Sequence, residues 1–401
     1  MIKREQYLKK IRPFYDSELV KVLVGIRRCG KSVILKQIMD ELLESGVSEG
    51  RIIYLNFEDL EFSDLLSSKA LHQYIKNQRI DDKKHYLLFD EIQNVTEFEK
   101  AINSFRATWD VSIFMTGSNS NILSGELATL LSGRYVSFKI YPFSFKEMCV
   151  LKQLNKDDIT EEIILDFVTW GSMPQKYYFS KEEEVRILLE DLFNTIVLKD
   201  IIGRSKIREL HTLNRLIEYM MQNPSQTFSV TSISKYFESI NQKISNDTLY
   251  NYLDAMLSAM LISKAVRYDI RGKRILTRLD KYYLMDNGLG RIKNSGFKIE
   301  IGALLENVVF NELCIRGYSV YVGMLKHGEV DFVAVKGEKV EYYQVAYLLA
   351  TEEVIQREFG AFRTIRDNFP KVVISMDKYD FSRDGIIHKN LVDFLLENDF
   401  N

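Results

Sequence analysis

Proline and cysteine are both scarce in this chain. Five prolines in 401 residues, beside an ordinary 20 glycines, exclude collagen-like and linker-like architectures. Three cysteines, Cys29, Cys149 and Cys314, are too few and too scattered to frame a disulfide scaffold or a zinc site. Long apolar runs are missing too: none reaches the ~20 residues needed to cross a bilayer. The N-terminus, MIKREQYLKK, has no secretory apolar stretch. A reducing, cytoplasmic location without direct membrane contact is therefore expected. Net charge is small, with 54 Lys and Arg against 56 Asp and Glu. What remains is a globular composition, 46% hydrophobic and 27% charged, which excludes a disordered chain. The length allows two to four domains at ~100–200 residues each. Charge is unevenly spread: residues 205–295 hold 14 Lys and Arg against 8 Asp and Glu, and residues 296–401 hold 12 against 17.

Lys21-Val22-Leu23-Val24 reads as a buried strand, and Gly25-Ile26-Arg27-Arg28-Cys29-Gly30-Lys31-Ser32 follows it directly. Val33 to Leu43 then carries helical apolar spacing. Strand, glycine-bounded loop and helix are the context of a P-loop. Loop amides and a helix N-terminus converge on phosphate oxygens there. Gly25 and Gly30 admit the close backbone, Lys31 supplies charge to the β/γ-phosphates, and the Ser32 hydroxyl reaches Mg²⁺. His85-Tyr86-Leu87-Leu88-Phe89-Asp90-Glu91 is a second apolar strand ending in two carboxylates. In a parallel sheet that end faces the ligand. Asp90 would serve Mg²⁺, and Glu91 would orient and deprotonate the attacking water. An acidic pair also suits a plain helix N-terminus. Strands are further expected at Arg51–Glu58 and Val111–Asn119. The latter has the sensor position of ATPases in which an extra strand separates P-loop and acidic strand. Ser118 or Asn119 is its candidate, against an ordinary polar turn. Arg134, just before a fourth strand-like run, is a candidate arginine finger, in its own subunit or a neighbour's, against a surface arginine. Cys29 reads as a small loop residue, not a redox centre.

These residues, with Asn56-Phe57-Glu58-Asp59, Phe89-Asp90-Glu91-Ile92-Gln93, Thr116-Gly117-Ser118, Ser132-Gly133-Arg134 and Tyr141-Pro142-Phe143-Ser144-Phe145, resemble the archaeal-type AAA ATPases, relatives of the STAND ATPases. Gly171-Ser172-Met173-Pro174 resembles the family's lid motif, whose proline, here Pro174, packs near the adenine. Ser172 stands where the family usually has a second glycine. The resemblance implies ATP and Mg²⁺, with Gly25, Arg27, Arg28, Cys29, Gly30, Lys31, Ser32 and Val33 around the phosphates. It leaves rings and monomers both open, so a homo-oligomer is one expected partner.

Four regions follow: an ATPase core at 1–149, a helical lid at 150–205, a winged-helix domain at 206–295 and a nuclease-like domain at 296–401. Lid helices are read at Leu154–Thr169 and Glu182–Leu198. Helices at His211–Met221, at Val230–Phe237 and from just after Ser245-Asn246-Asp247 to about Leu261 precede strands Leu261–Tyr268 and Arg274–Leu284, the order of a winged helix. Its wing carries Arg267, Arg271, Lys273, Arg274 and Arg278, suited to phosphates rather than to sequence readout. The third helix lacks a basic face, so a protein partner competes with DNA. Further on, Glu306, Asp331 and a third strand with a carboxylate-x-lysine pair would form a restriction-endonuclease-like constellation, and Glu306, Glu329 and Asp331 are candidates for residual metal affinity, against charged residues on ordinary strands. The third strand, where Glu-x-Lys is expected, reads Gln344-Val345-Ala346. That domain is therefore expected to be degenerate, kept for binding. The fold expectation is an α/β P-loop NTPase sheet with a helical lid, then winged-helix and nuclease-like α/β domains. The functional expectation is a Mg²⁺-dependent ATPase switch controlling DNA or protein binding. An ATP-gated nuclease and a slowly hydrolysing scaffold are the alternatives.

Overall fold

Runs of Val, Leu, Ile and Phe with few polar interruptions form the first sheet, as strands covered on both faces do. In the computed structural model, which describes residues 2–123, 131, 133–204, 207, 209–293, 300–326 and 328–397, they are β1 (Val20–Val24), β2 (Ile52–Asn56), β3 (His85–Asp90), β4 (Val111–Gly117) and β5 (Tyr135–Lys139). All pair parallel, in the order β2-β3-β4-β1-β5. Helices Lys31–Glu44, Ser68–Gln78 and Phe98–Thr108 make the crossovers. β4 thus lies between the P-loop strand and the acidic strand. Parallel pairing brings Gly25, Asp90, Glu91 and Ser118 to one edge of the sheet.

The chain divides into two compact units, Met1–Pro142 with Ser258–Met260, and Phe143–Leu257 with Leu261–Asn401. The second unit contains β6 (Gln226–Thr227), β7 (Ile262–Asp269), β8 (Arg274–Leu284), β9 (Ser319–Met324), β10 (Glu329–Lys336), β11 (Lys339–Val345), β12 (Lys371–Ser375) and β13 (Ile387–Asn390). They form one sheet, ordered β13-β12-β11-β10-β9-β7-β8-β6. The β7–β8 hairpin, expected as a wing, is joined to the C-terminal strands by parallel pairing of β7 with β9. Three helices, Leu210–Gln222, Val230–Ser239 and Asn246–Ser258, precede it. One apolar core gathers Phe145, Phe167 and Val168 from early helices, Tyr283 from β8, and Phe310, Phe332 and Phe394 from the C-terminal region.

Two helix bounds differ from the sequence reading. The expected helix Leu154–Thr169 starts at Glu161, because Thr160 caps it by accepting the Ile163 N–H. The helix opening at Asn246 ends at Ser258, and Met260 beyond it takes a left-handed φ of 55°. Among the described residues no helix is long and apolar enough to cross a membrane.

Candidate functional site

The loop after β1 is tightly supported from below. A Cβ on Gly25 would fall 2.4 Å from the Ile140 carbonyl oxygen and 2.7 Å from Cys29 Sγ, so only glycine lets the backbone pass there. Arg28 is exposed, and Arg27 Nη1 meets Glu58 Oε1 at 2.8 Å. Ser32 and Val33, half-buried, open the helix entered from Gly30. Cys29 is fully buried, and burial pushes its thiol above the ordinary cysteine value, which fits a packing residue.

Lys31 is buried and donates to the carbonyls of Gly25, at 3.0 Å, and Ile26, at 3.3 Å. Its Nζ also lies 3.6 Å from Glu91 Oε1. Two segments sixty residues apart in the chain thus place opposite charges side by side at the carboxyl edge of the sheet. Asp90 is buried and fixed at both oxygens, by Thr116 Oγ1 at 2.5 Å and the Tyr54 hydroxyl at 3.1 Å. Glu91 has a left-handed φ of 54°, and its N–H donates to Thr116 Oγ1 at 2.8 Å. Burial favours the neutral acid of Glu91. Lys31, the Gln93 amide, Arg27 and the Ser118 hydroxyl outweigh it and hold the carboxyl below the usual glutamate value. Ser118, buried beside Asn119, is thus a hydrogen-bond partner of Glu91.

Arg134 is elsewhere. It precedes β5, and its carbonyl accepts from the Val20 N–H at the start of β1. A strand rise of ~3.3 Å per residue puts roughly 15 Å between that amino edge and the P-loop. Arg134 is exposed there, out of reach of Lys31 and Glu91 in the same chain. Ser132, before it, lies outside the described residues, as does the side chain of Arg278. Pro174 opens a short turn, Pro174–Tyr178, in the second unit. The preceding Gly171 has φ +67°, and a Cβ there would fall 2.0 Å from Asp286 Oδ1. Asp286 accepts from the Ser172 N–H at 2.6 Å and the Gly288 N–H at 2.9 Å. In the motif read as a lid, glycine is thus required by a buried carboxylate of the same unit. Burial raises that carboxyl despite these bonds and nearby Lys176.

Sequence reasoning missed Arg4. Its guanidinium is buried and donates to the carbonyls of Cys29 at 2.8 Å, Tyr141 at 3.0 Å and Pro142 at 3.3 Å. It clamps the P-loop backbone to the last two residues of the first unit's main segment. The docked helix Glu5–Ile11, which buries Tyr7, Leu8 and Ile11, was the available signal, but nothing local marks Arg4 itself. Tyr54 and Thr116, which orient Asp90, were missed in the same way.

In the second unit, Glu306, on helix Ile301–Ile315, and Glu329 and Asp331, on β10, do converge. They line a cavity of about 680 Å³ together with Gln344. A cation that sequence reasoning overlooked lies among them. Lys281, from β8, lies 2.7 Å from Glu306 Oε1 and 3.7 Å from Glu329 Oε1. Burial alone would lower the lysine, yet Glu306, Asp331 and Glu329 raise it above the usual value. Arg267 also turns to this cluster, 3.5 Å from Glu329 Oε2. Arg271, Lys273 and Arg274 remain exposed at the hairpin turn.

Residues 17–149 match the family described as an AAA domain, and residues 161–295 match a domain of unknown function (DUF8612). An uncharacterized protein of Haemophilus influenzae is 38% identical over 400 residues, 99% of each chain. An uncharacterized protein of Methanocaldococcus jannaschii is 30% identical over 361 residues, 87% of this chain and 79% of that one. Among solved structures, AMPPCP-bound DnaA from Aquifex aeolicus aligns at 13% identity and TM-score 0.31, over 63% of this chain and 86% of that one. A replication initiator DnaA bound to AMPPCP and single-stranded DNA aligns at 16% and 0.34, over 63% and 88%. Likenesses of that strength say nothing of function.

Proposed function

The chain belongs to the same family as its Haemophilus influenzae and Methanocaldococcus jannaschii relatives, and from that premise we propose that it is a Mg²⁺-dependent ATPase whose nucleotide state controls binding through the second unit. One observation carries the reading: Lys31 of the P-loop and Glu91 of the acidic strand lie 3.6 Å apart at the carboxyl edge of a parallel sheet, with β4 between their strands.

The residues fit a magnesium nucleotide. The Gly25 cradle leaves no room for a Cβ, a helix N-terminus opens at Lys31, and buried Asp90 is oriented by two hydroxyls. Ser32 and Asp90 would hold Mg²⁺, which supplies charge neutralisation at the phosphates. Lys31 faces the β/γ-phosphates. Glu91, kept in its carboxylate form, orients a water and takes its proton at a carboxylate oxygen. Gln93 and Ser118 fix its direction. Arg27, Arg28, Cys29 and Val33 flank the loop. Arg134, at the opposite edge, would serve a second copy's phosphates, so full turnover calls for a homo-oligomer. Pro174 keeps its proposed place near the adenine, and residues 150–205 their proposed role as a lid.

Downstream, helix Asn246–Ser258 holds Asp247 and Asp254 and no Lys or Arg, which favours a protein partner on that helix. DNA phosphates, if engaged, would meet the exposed cations of the hairpin turn. Calorimetric titration with ATP, with and without Mg²⁺, tests the nucleotide reading. Metal-dependent heat at one site per chain is expected, and no heat under either condition would overturn it.

A further inference from the structure

A restriction-endonuclease-like centre implies a divalent metal held by its carboxylates, and the residues here do not fit one. We propose that Lys281 stands in that metal's place as a tethered cation, closing the centre to divalent ions and turning it into a joint between the β7–β8 hairpin and the C-terminal domain.

Each carboxylate is already engaged by a protein donor. Glu306 Oε1 accepts from Lys281 Nζ and from the Tyr283 hydroxyl, both at 2.7 Å. Glu329 sits between Lys281 on one oxygen and Arg267 on the other. Asp331 Oδ2 accepts from the Val345 N–H at 2.9 Å. Gln344 Oε1 accepts from the Asp331 N–H at 3.2 Å, so the amide replacing the usual carboxylate is spent on the backbone. Mg²⁺ needs oxygens at about 2.0–2.1 Å in near-octahedral array. An ammonium bonded to the central carboxylate and a dication on the same oxygens would repel each other at close range in a buried setting. Among the described residues no three His, Cys, Asp or Glu are set to hold a metal ion. Access is not the obstacle, because the three carboxylates line a cavity of about 680 Å³. Lys281 comes from β8, the strand before β9 in chain order but separated from it by β7 in the sheet. A cation lost from the third strand of the motif has thus been supplied by a different strand. There it sits on Glu306 Oε1 and beside Glu329, oxygens that a divalent ion would need. This assignment does not depend on the ATPase reading.

The test is Mn²⁺ titration of the full chain without nucleotide, with free Mn²⁺ read by electron paramagnetic resonance. Wild type and Glu306→Gln should bind Mn²⁺ equally, showing no contribution from the cluster. Lys281→Met should gain one site at least tenfold tighter than any in wild type, and adding Glu306→Gln should remove it. A folded Lys281→Met that binds no more Mn²⁺ than wild type would overturn the proposal. So would wild-type binding that Glu306→Gln abolishes. Should Lys281→Met not fold, the wild-type and Glu306→Gln pair decides by the same criterion.

Discussion

Replacing Arg4 by lysine separates charge from geometry. The guanidinium fork reaches three carbonyls at once, those of Cys29, Tyr141 and Pro142. An ammonium keeps the charge but is a single point on a shorter reach, so it retains one of these contacts. A hydrogen bond from a charged donor contributes about 1.5–3 kcal/mol, and losing two costs roughly 3–6 kcal/mol. That is a large share of the ~5–15 kcal/mol by which domains are stable. Because one lost contact holds the P-loop backbone at Cys29, part of the cost should fall on nucleotide binding, at tenfold in affinity per ~1.4 kcal/mol. Urea unfolding and MgATP calorimetry on Arg4→Lys and wild type measure the two shares. We expect a lower midpoint together with at least tenfold weaker MgATP binding. A variant within ~0.5 kcal/mol of wild type in both would refute the clamp, and a loss of stability with unchanged affinity would refute its link to the site.

Lys31→Ala removes the ammonium from the phosphates and leaves Glu91 buried without it, so nucleotide affinity should fall about a hundredfold, or ~3 kcal/mol. Fluorescent-nucleotide titration reads this, and unchanged affinity would contradict the P-loop assignment. Lys21 tests burial itself. It is fully buried in β1, bonded to Ser112 Oγ at 2.7 Å, and burial, helped by Lys84 and Arg106, holds it down to about 7. At pH 7 and below, folded and unfolded chains both carry the ammonium, and its burial penalty stands in full. From pH 7 to ~10.5 the folded lysine is neutral while the unfolded one stays charged, so stability should climb with pH, by up to roughly 5 kcal/mol. Lys21→Met should abolish that climb and be the more stable chain at pH 6. Parallel stability curves for the two between pH 7 and 10 would contradict it.

The candidate site was legible because its chemistry is local. Val24 and Gly25 adjoin in sequence, as do Phe89, Asp90 and Glu91, and parallel pairing alone carries both to one edge. The intervening strand was legible for the same reason, since Val111 to Gly117 is an uninterrupted apolar run. What escaped depends on distance along the chain. Arg4 reaches Tyr141 across 137 positions, and no periodicity in MIKREQYLKK marks it. Lys281 belongs to a strand read as part of a wing, and only the β7–β9 pairing shows that it shares a sheet with Glu329. Arg267 was read as a phosphate contact for that reason, whereas it faces a carboxylate. β13, Ile-His-Lys-Asn, is too short and too polar to show a strand pattern.

Single-turnover hydrolysis of radiolabelled MgATP by wild type and Glu91→Gln bears most directly on the central claim, with binding measured in parallel. The substitution keeps the shape beside Lys31 and removes the proton acceptor. The account predicts that the variant binds MgATP within a few-fold of wild type and cleaves it at least a hundredfold more slowly. Cleavage at the wild-type rate would contradict it.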